Sequence, residues 1–531
     1  VGGLWAPLND SNYTSPAIGT NGPVYAITYG NSLPYSIIIG GSFTSAASGN
    51  VTANNIVAWN GTNFQMLNDV IVGGEGTDAA VYALAVGGWG IIGSGTNTIV
   101  YVGGAFGSVA NGSIGAQYIA AYDYISSTWN KGGSYGQSTL NGAVRTLHYQ
   151  GQNGEYGKDT RLFIGGDFST AGIQDYYSAY SLLSSVNGII LFQELGQFLT
   201  SIYNTLPYES GTSAIGPLYS SNITGVLGSS VDTIRYVGGS SLMVGGLFSS
   251  CFSPTSNSQL VSHNIAMMNL NNLWQNMSSA QIPSLSGGAV NAISRVNNRI
   301  YVGGSFNNLI SNNQVLNYFA YWDTSTYLWY SVVSGNVIGV NGTINTIELG
   351  SGNNIYVGGE LTNGGGTTIS RVGIFNTSSN AWTQLFDALS SNVGVNNIVR
   401  DIYYSGGNAY ICGDFTATNG SATPIYRVAK VNSSNQIVQI KNNSGTHIGL
   451  NGPVYSNVFL TPRIYFGGGF TNTSATADLP MQNLAYYITT TTTIPLQVTT
   501  SAVSGFLNTE NGTTYTIVTI PTRYKLIVII Y

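Results

Sequence analysis

The sequence predicts an all-β chain, a β-propeller of eight four-stranded blades followed by a short C-terminal β segment. Three observations predict it. A Gly-Gly-x-Phe signature recurs at a nearly fixed interval, each copy sits among four strand-like runs, and no segment keeps a 3.6-residue apolar period. Four-stranded units repeated radially make a propeller. A linear solenoid is the structural alternative, but its coils are shorter and its end repeats atypical.

The signature runs Gly40-Gly41-Ser42-Phe43, Gly103-Gly104-Ala105-Phe106, Gly165-Gly166-Asp167-Phe168, Gly245-Gly246-Leu247-Phe248 and Gly303-Gly304-Ser305-Phe306. It continues as Gly358-Gly359-Glu360-Leu361, Cys412-Gly413-Asp414-Phe415 and Gly467-Gly468-Gly469-Phe470. Start-to-start spacings are 63, 62, 80, 58, 55, 54 and 55 residues. Glycine inside a strand permits close approach of another backbone or a bulge. The reading is mechanical: glycines where blades converge, and Phe43, Phe106, Phe168, Phe248, Phe306, Leu361, Phe415 and Phe470 filling the wedges between blades. Burying one such ring is worth about 1.5–3 kcal/mol.

The unit from Gly287 to about Val333 shows the four strands in order. Gly287 to Ile293 mixes apolar with small or polar residues, as a half-buried strand does. Asn297-Asn298 turns the chain into Arg299 to Phe306, rich in β-branched and aromatic residues. Tyr318 to Trp322 forms a third strand, turned by Asp323-Thr324-Ser325, and Tyr327 to Val332 a fourth. Elsewhere an Asn-Gly turn signal precedes the first strand at Asn21, Asn141, Asn341 and Asn451. Leu4 to Leu8 resembles a fourth strand lacking its first three, so it is expected to complete the eighth blade. The segment around Ile494-Pro495-Leu496 competes for that place.

Two regions break the period. The 80-residue interval holds an excess segment, about residues 200–230, expected as a surface insertion between blades three and four. The domains are therefore 1–488, the propeller, and 489–531, a Thr-rich linker with the C-terminal β segment.

Charged residues make up 7% of the 531, against about 25% in ordinary soluble proteins. The net charge of −5 argues against nucleic acid, which calls for a basic patch. No apolar run reaches the length of a membrane span. Beginning at Val1 and stopping in mid-strand at Ile530-Tyr531, the sequence reads as a processed or partial chain. Cys251 and Cys412 are too few for a disulfide framework. Asn-x-Ser/Thr sequons stand at Asn9, Asn12, Asn50, Asn60, Asn111, Asn222, Asn276, Asn341, Asn376, Asn419, Asn432, Asn442, Asn472 and Asn511. They are candidate glycan acceptors, although an Asn-, Ser- and Thr-rich chain makes many by chance.

The core Tyr301-Val302-Gly303-Gly304-Ser305-Phe306 with Phe319-Ala320-Tyr321-Trp322-Asp323 resembles kelch-like propeller repeats, as does Tyr101 to Phe106 with Ile119 to Asp123. Such repeats occur in bacterial surface proteins, the fungal cortical polarity marker and large DNA viruses. The tail, with Phe506, Gly512 to Tyr515 and Leu526 to Val528, resembles the C-terminal extension of giant-virus propeller proteins. The resemblance covers about residues 1–490 and implies fold more than function.

No catalytic, cofactor or metal constellation is read from the sequence. His148, His263 and His447 lie in different repeats without ligand spacing, and the Gly-Gly pairs lie inside strands with no helix following, unlike phosphate loops. One sharper idea concerns Asp167, Glu360 and Asp414, acidic at the x position, which could converge on an axis to hold a cation. The expected function is a non-enzymatic structural or interaction propeller on an extracellular or virion surface, serving assembly or adhesion. Its expected partners are other surface or capsid proteins, or host glycans or receptors. The alternative is a carbohydrate-binding or carbohydrate-active propeller using surface Tyr and Trp.

Overall fold

The computed structural model describes residues 3–488 except 30–36, 88–98, 131–139, 151–160, 169, 175–180, 186–188, 194–197, 201–225, 239–240, 254–257, 262, 270–273, 276–284, 311, 421–422, 443, 461 and 475–478. By internal contacts the chain divides into Val1–Thr490 and Thr491–Tyr531. The tail, Asn222, Asn276, Asn511 and most of the expected insertion lie outside the described residues. Thr200 and residues 226–230, expected in that insertion, are instead strand, within Phe198–Thr200 and Val226–Gly238.

The fold is all-β and propeller-like. Among the described residues there are eight sheets of four or five strands, and the helical structure is one 3₁₀ turn, Ala47–Gly49. The fifth sheet is typical, with Val290–Val296, Arg299–Gly304, Phe319–Asp323 and Leu328–Ser331 pairing antiparallel in chain order. The other first strands are Val24–Thr28, Val81–Gly87, Val144–Gln150, Val226–Gly238, Ile344–Leu349, Val399–Ser405 and Val454–Leu460. Each touches the first strand of the next sheet, and the eighth touches that of the first. In the eighth sheet the fourth place belongs to Leu4–Pro7, antiparallel to Leu484–Ile488 with Trp5 opposite Tyr487. The seventh sheet gains a parallel edge strand, Phe386–Asp387, beside Gln436–Gln439.

In seven sheets the second strand stops at the second glycine, so the motif residue lies past the strand and not within it; in the fourth, Phe248 lies inside Ser241–Ser253. All eight motif residues are buried, none more than 3% exposed. Their clusters span successive sheets. Phe106 packs with Ile38 and Ile56 of the preceding sheet, Leu361 with Tyr301 and Phe319, and Phe43 of the first sheet with Tyr465 and Leu484 of the eighth.

The two glycines have separate tasks. A Cβ on the first would strike the next sheet: at Gly358 it would lie 2.6 Å from Val399 Cγ1, and at Gly467 2.9 Å from Ile27 Cδ1. A Cβ on the second would strike the residue just ahead of its own sheet's first strand, as at Gly304 against Ala289 and at Gly41 against Pro23. Cys412 replaces the first glycine in the seventh sheet, buried with Val454.

Side-chain amides fasten the loops. Asn341 Oδ1 accepts from the Thr362 and Asn363 amides, both at 2.8 Å, and its Nδ2 donates to Thr362 Oγ1. Asn21, Asn396 and Asn451 repeat this clasp, and Asp78 does so with its carboxylate. Just before the third strand a residue takes positive φ, 62° at Asn55 and 67° at Asn483, where asparagine is tolerated. Asn55 Nδ2 then reaches Thr77 O ahead of the second sheet, and Asn483 Nδ2 reaches Thr20 O ahead of the first, both at 2.8 Å.

Candidate functional site

The site is built from one backbone irregularity repeated eight times. In every sheet the pairing of first and second strands skips the residue after a Val or Ile, as between Val24 and Ala26 and between Val399 and Asp401; the fourth sheet has further register shifts besides the one at Asp232. The skipped residues are Tyr25, Tyr82, Arg145, Asp232, Asn291, Asn345, Arg400 and Tyr455. A β-bulge adds one residue to a strand and re-aims its side chain. Here the positions flanking the bulge repeat as Val or Ile and small residues, while the bulged position varies in chemistry.

These side chains meet around the cycle of first strands. The Tyr25 ring lies 5.8 Å from that of Tyr82 and 5.7 Å from that of Tyr455. Arg145 stands over Tyr82 at 5.4 Å. Asn291 Nδ2 donates to Ile344 O at 3.0 Å, and Asn345 Nδ2 to Val399 O at 3.1 Å. Burial, with Tyr455 and Tyr82 beside it, pushes the Tyr25 phenol up. Burial also raises Asp232, which shares the field of Arg145.

The acidic x positions do not gather to hold a cation. Arg145 Nη2 pairs with Asp167 Oδ2 at 2.7 Å, and Arg400 grips Asp414 through Nε at 3.0 Å and Nη2 at 2.6 Å. Each arginine is a bulged residue, so the acid answers its own sheet's cation. Glu360 is exposed, and among the described residues no group of His, Cys, Asp and Glu suits a metal.

A second layer follows along the first strands. Burial, with Asp401 of the seventh sheet nearby, raises Glu348 of the sixth, and both acids feel Arg235 of the fourth. Asp401 keeps some accessible surface, yet enough protein surrounds its carboxyl that burial raises it to about 6. It accepts from Asn457 Nδ2 at 2.9 Å, and that amide also reaches Cys412 Sγ at 3.5 Å. Cys412 is free and buried, and burial beside Asp401 pushes its thiol up, so it is no reactive thiolate.

The remaining candidates lie apart. His447 Nδ1 sits 3.1 Å from Thr473 Oγ1, His263 is half-buried, and the side chains of His148 and Cys251 are outside the described set. Every tryptophan with a described side chain (Trp5, Trp59, Trp129, Trp322, Trp329 and Trp382) is buried, which removes these from the expected stacking surface. Asn9, Asn12, Asn50, Asn60, Asn111, Asn341 and Asn419 are exposed, whereas Asn376, Asn432, Asn442 and Asn472 are half-buried. The bulge ring escaped the sequence reading. Its signal was the variable residue after the repeated Val or Ile, 12 to 21 residues before each motif.

No protein-family model matches the chain, and no curated protein matches it. Among solved structures it is similar to the computationally designed Ika8 protein, at 11% identity over 88% of this chain and 97% of that one, with TM-score 0.45. It is also similar to Sqt1 of Chaetomium thermophilum, at 12% identity over 85% of this chain and 94% of that one, with TM-score 0.43.

Proposed function

We propose that the chain is a closed eight-bladed propeller acting as a non-enzymatic interaction scaffold, with partners docking on the mouth formed by the bulged residues. One observation carries this reading: every sheet re-aims one residue by the same bulge, and those residues differ while the packing around them repeats. Tyrosine and arginine fill five of the eight places, and these types dominate hot spots at protein interfaces. Closure is supported by the Gly467 approach to the first sheet, the Asn483 bond to Thr20, and the pairing of Leu4–Pro7 into the eighth sheet.

The setting we infer is an extracellular or virion surface, with assembly or adhesion as the task and surface, capsid or receptor proteins as partners. Low charge, exposed sequons and the kelch-like resemblance support it. The carbohydrate reading rests on the three adjoining tyrosines.

The test places the photo-cross-linker p-benzoylphenylalanine at Tyr25 of the full chain, in the particle or extract from which the protein is isolated. The same group at Ile125, an exposed turn residue between third and fourth strands, is the comparison. Cross-linking to a partner protein through Tyr25 is expected. Cross-links through Ile125 alone overturn the axial docking site.

A further inference from the structure

We propose that this mouth takes a cationic side chain, a lysine ammonium or arginine guanidinium, presented by a protein partner. The proposal rests on the closed-ring reading above. In a closed ring of eight, the first, second and eighth sheets face the fifth, sixth and fourth. The mouth then has two unlike halves. Tyr82, Tyr25 and Tyr455 form a continuous aromatic arc, and Asn345, Asn291 and Asp232 stand across from it, with Arg145 and Arg400 at the seams.

The aromatic half suits a cation, because ring faces carry negative charge density. The chain already uses it so: Arg145 lies over Tyr82, and the same pairing recurs where Arg299 covers Tyr321 at 4.6 Å and Arg463 covers Tyr486 at 4.8 Å. Among the described residues no guanidinium covers Tyr25 or Tyr455, and Tyr455 is 38% exposed.

The opposite half supplies acceptors. Asn291 and Asn345 spend their Nδ2 groups on backbone carbonyls, and their Oδ1 atoms accept no bond among the described residues. Asp232 and Glu360 have no ion pair among the described residues, whereas Arg145 and Arg400 are engaged by Asp167 and Asp414.

Charge points the same way. The mouth and the layer below it hold six carboxylates (Asp167, Asp232, Glu348, Glu360, Asp401 and Asp414) against the guanidiniums of Arg145, Arg235 and Arg400, with Arg371 and Arg427 beside Glu360 and Asp414, where they donate to backbone oxygens. An anion finds both seam guanidiniums already paired with Asp167 and Asp414. A neutral sugar finds phenol hydroxyls as donors, but both seam guanidiniums are already paired. A cation meets aromatic faces on one side and unmatched acceptors on the other.

Titration calorimetry of the full chain with acetylated, amidated tetra-arginine and tetra-lysine peptides tests this, with tetra-glutamate as comparison. Either cationic peptide is expected to bind, more weakly at high salt, and tetra-glutamate not at all. Tyr25→Ala and Asp232→Asn should each weaken binding about tenfold, while Tyr25→Phe, which keeps the ring face, should stay within about twofold. Unchanged thermal melting of Asp232→Asn and Tyr25→Phe shows that folding is preserved. The proposal is overturned if neither cationic peptide binds, if both damaging substitutions leave binding unchanged, or if an N-acetylglucosamine oligomer displaces the peptide. Cross-linking of a partner at Tyr25 without peptide binding overturns the cationic ligand and leaves the scaffold standing. Peptide binding without any cross-link at Tyr25 does the reverse.

Discussion

Gly467→Ala isolates the packing of the eighth sheet against the first. The glycine's φ lies outside the left-handed region, so alanine meets no backbone objection there. Its Cβ would lie 2.9 Å from Ile27 Cδ1 and 3.0 Å from Val24 Cβ, and closer still to Val24 Cγ1. Crowding of this kind costs about 1–3 kcal/mol. Alanine gives back about 0.5–1 kcal/mol, because glycine loses more backbone freedom on folding. A net loss of about 0.5–2 kcal/mol follows. Val24→Ala alone removes two methyl groups' worth of burial, about 1.6 kcal/mol, but it also removes the colliding atom. The double variant should therefore lose less than the two singles together, by about 1 kcal/mol. Urea midpoints followed by intrinsic fluorescence read all three. Gly303→Ala with Ile344→Ala, where a Cβ would lie 2.8 Å from Ile344 Cβ, sets the scale for sheets adjacent in sequence. If Gly467→Ala stays within about 0.3 kcal/mol of the parent and the pair is additive while the Gly303 pair is not, the first and eighth sheets are not packed like the rest.

Other outcomes follow from the same structure. Phe106→Ala, at a fully buried ring, should cost about 3–5 kcal/mol by urea unfolding. Asn341→Ala should cost about 1–2 kcal/mol and raise amide exchange at Thr362 and Asn363, the two hydrogen bonds that lose their acceptor. Asp401 is raised to about 6 from 3.8, so its stability contribution is fully present below pH about 4 and is lost as pH rises through about 6. Stability measured at pH 4 and pH 8 should therefore fall by about 3 kcal/mol on this account, and Asp401→Asn should flatten that slope. Cys412 should resist alkylation in the native protein and react once it is unfolded, as mass spectrometry can show.

The eight sheets were legible because each repeat spells the same local choices. Val or Ile opens a strand, a glycine pair closes the next, and an apolar residue fills the wedge. The Leu4–Pro7 strand was legible for the same reason, since a fourth strand without its first three needs a partner sheet. The bulge ring was not legible. Tyr25 and Arg400 sit in strands that read as ordinary alternation, and the extra residue exists only as a shift between two paired strands. The acidic positions misled because their neutralising arginines stand 22 and 14 residues earlier, on the first strand. Asn341 was legible as a turn former, but its clasp on Thr362 depends on where the second strand's loop returns.

A projection of the purified protein down its axis, by electron-microscopy class averaging, reads closure and blade number together. Eight equal lobes in an unbroken ring are predicted, with the eighth as strongly joined to the first as any neighbouring pair. An open arc, or a ring of another number, contradicts the account and removes the mouth on which the proposed function stands.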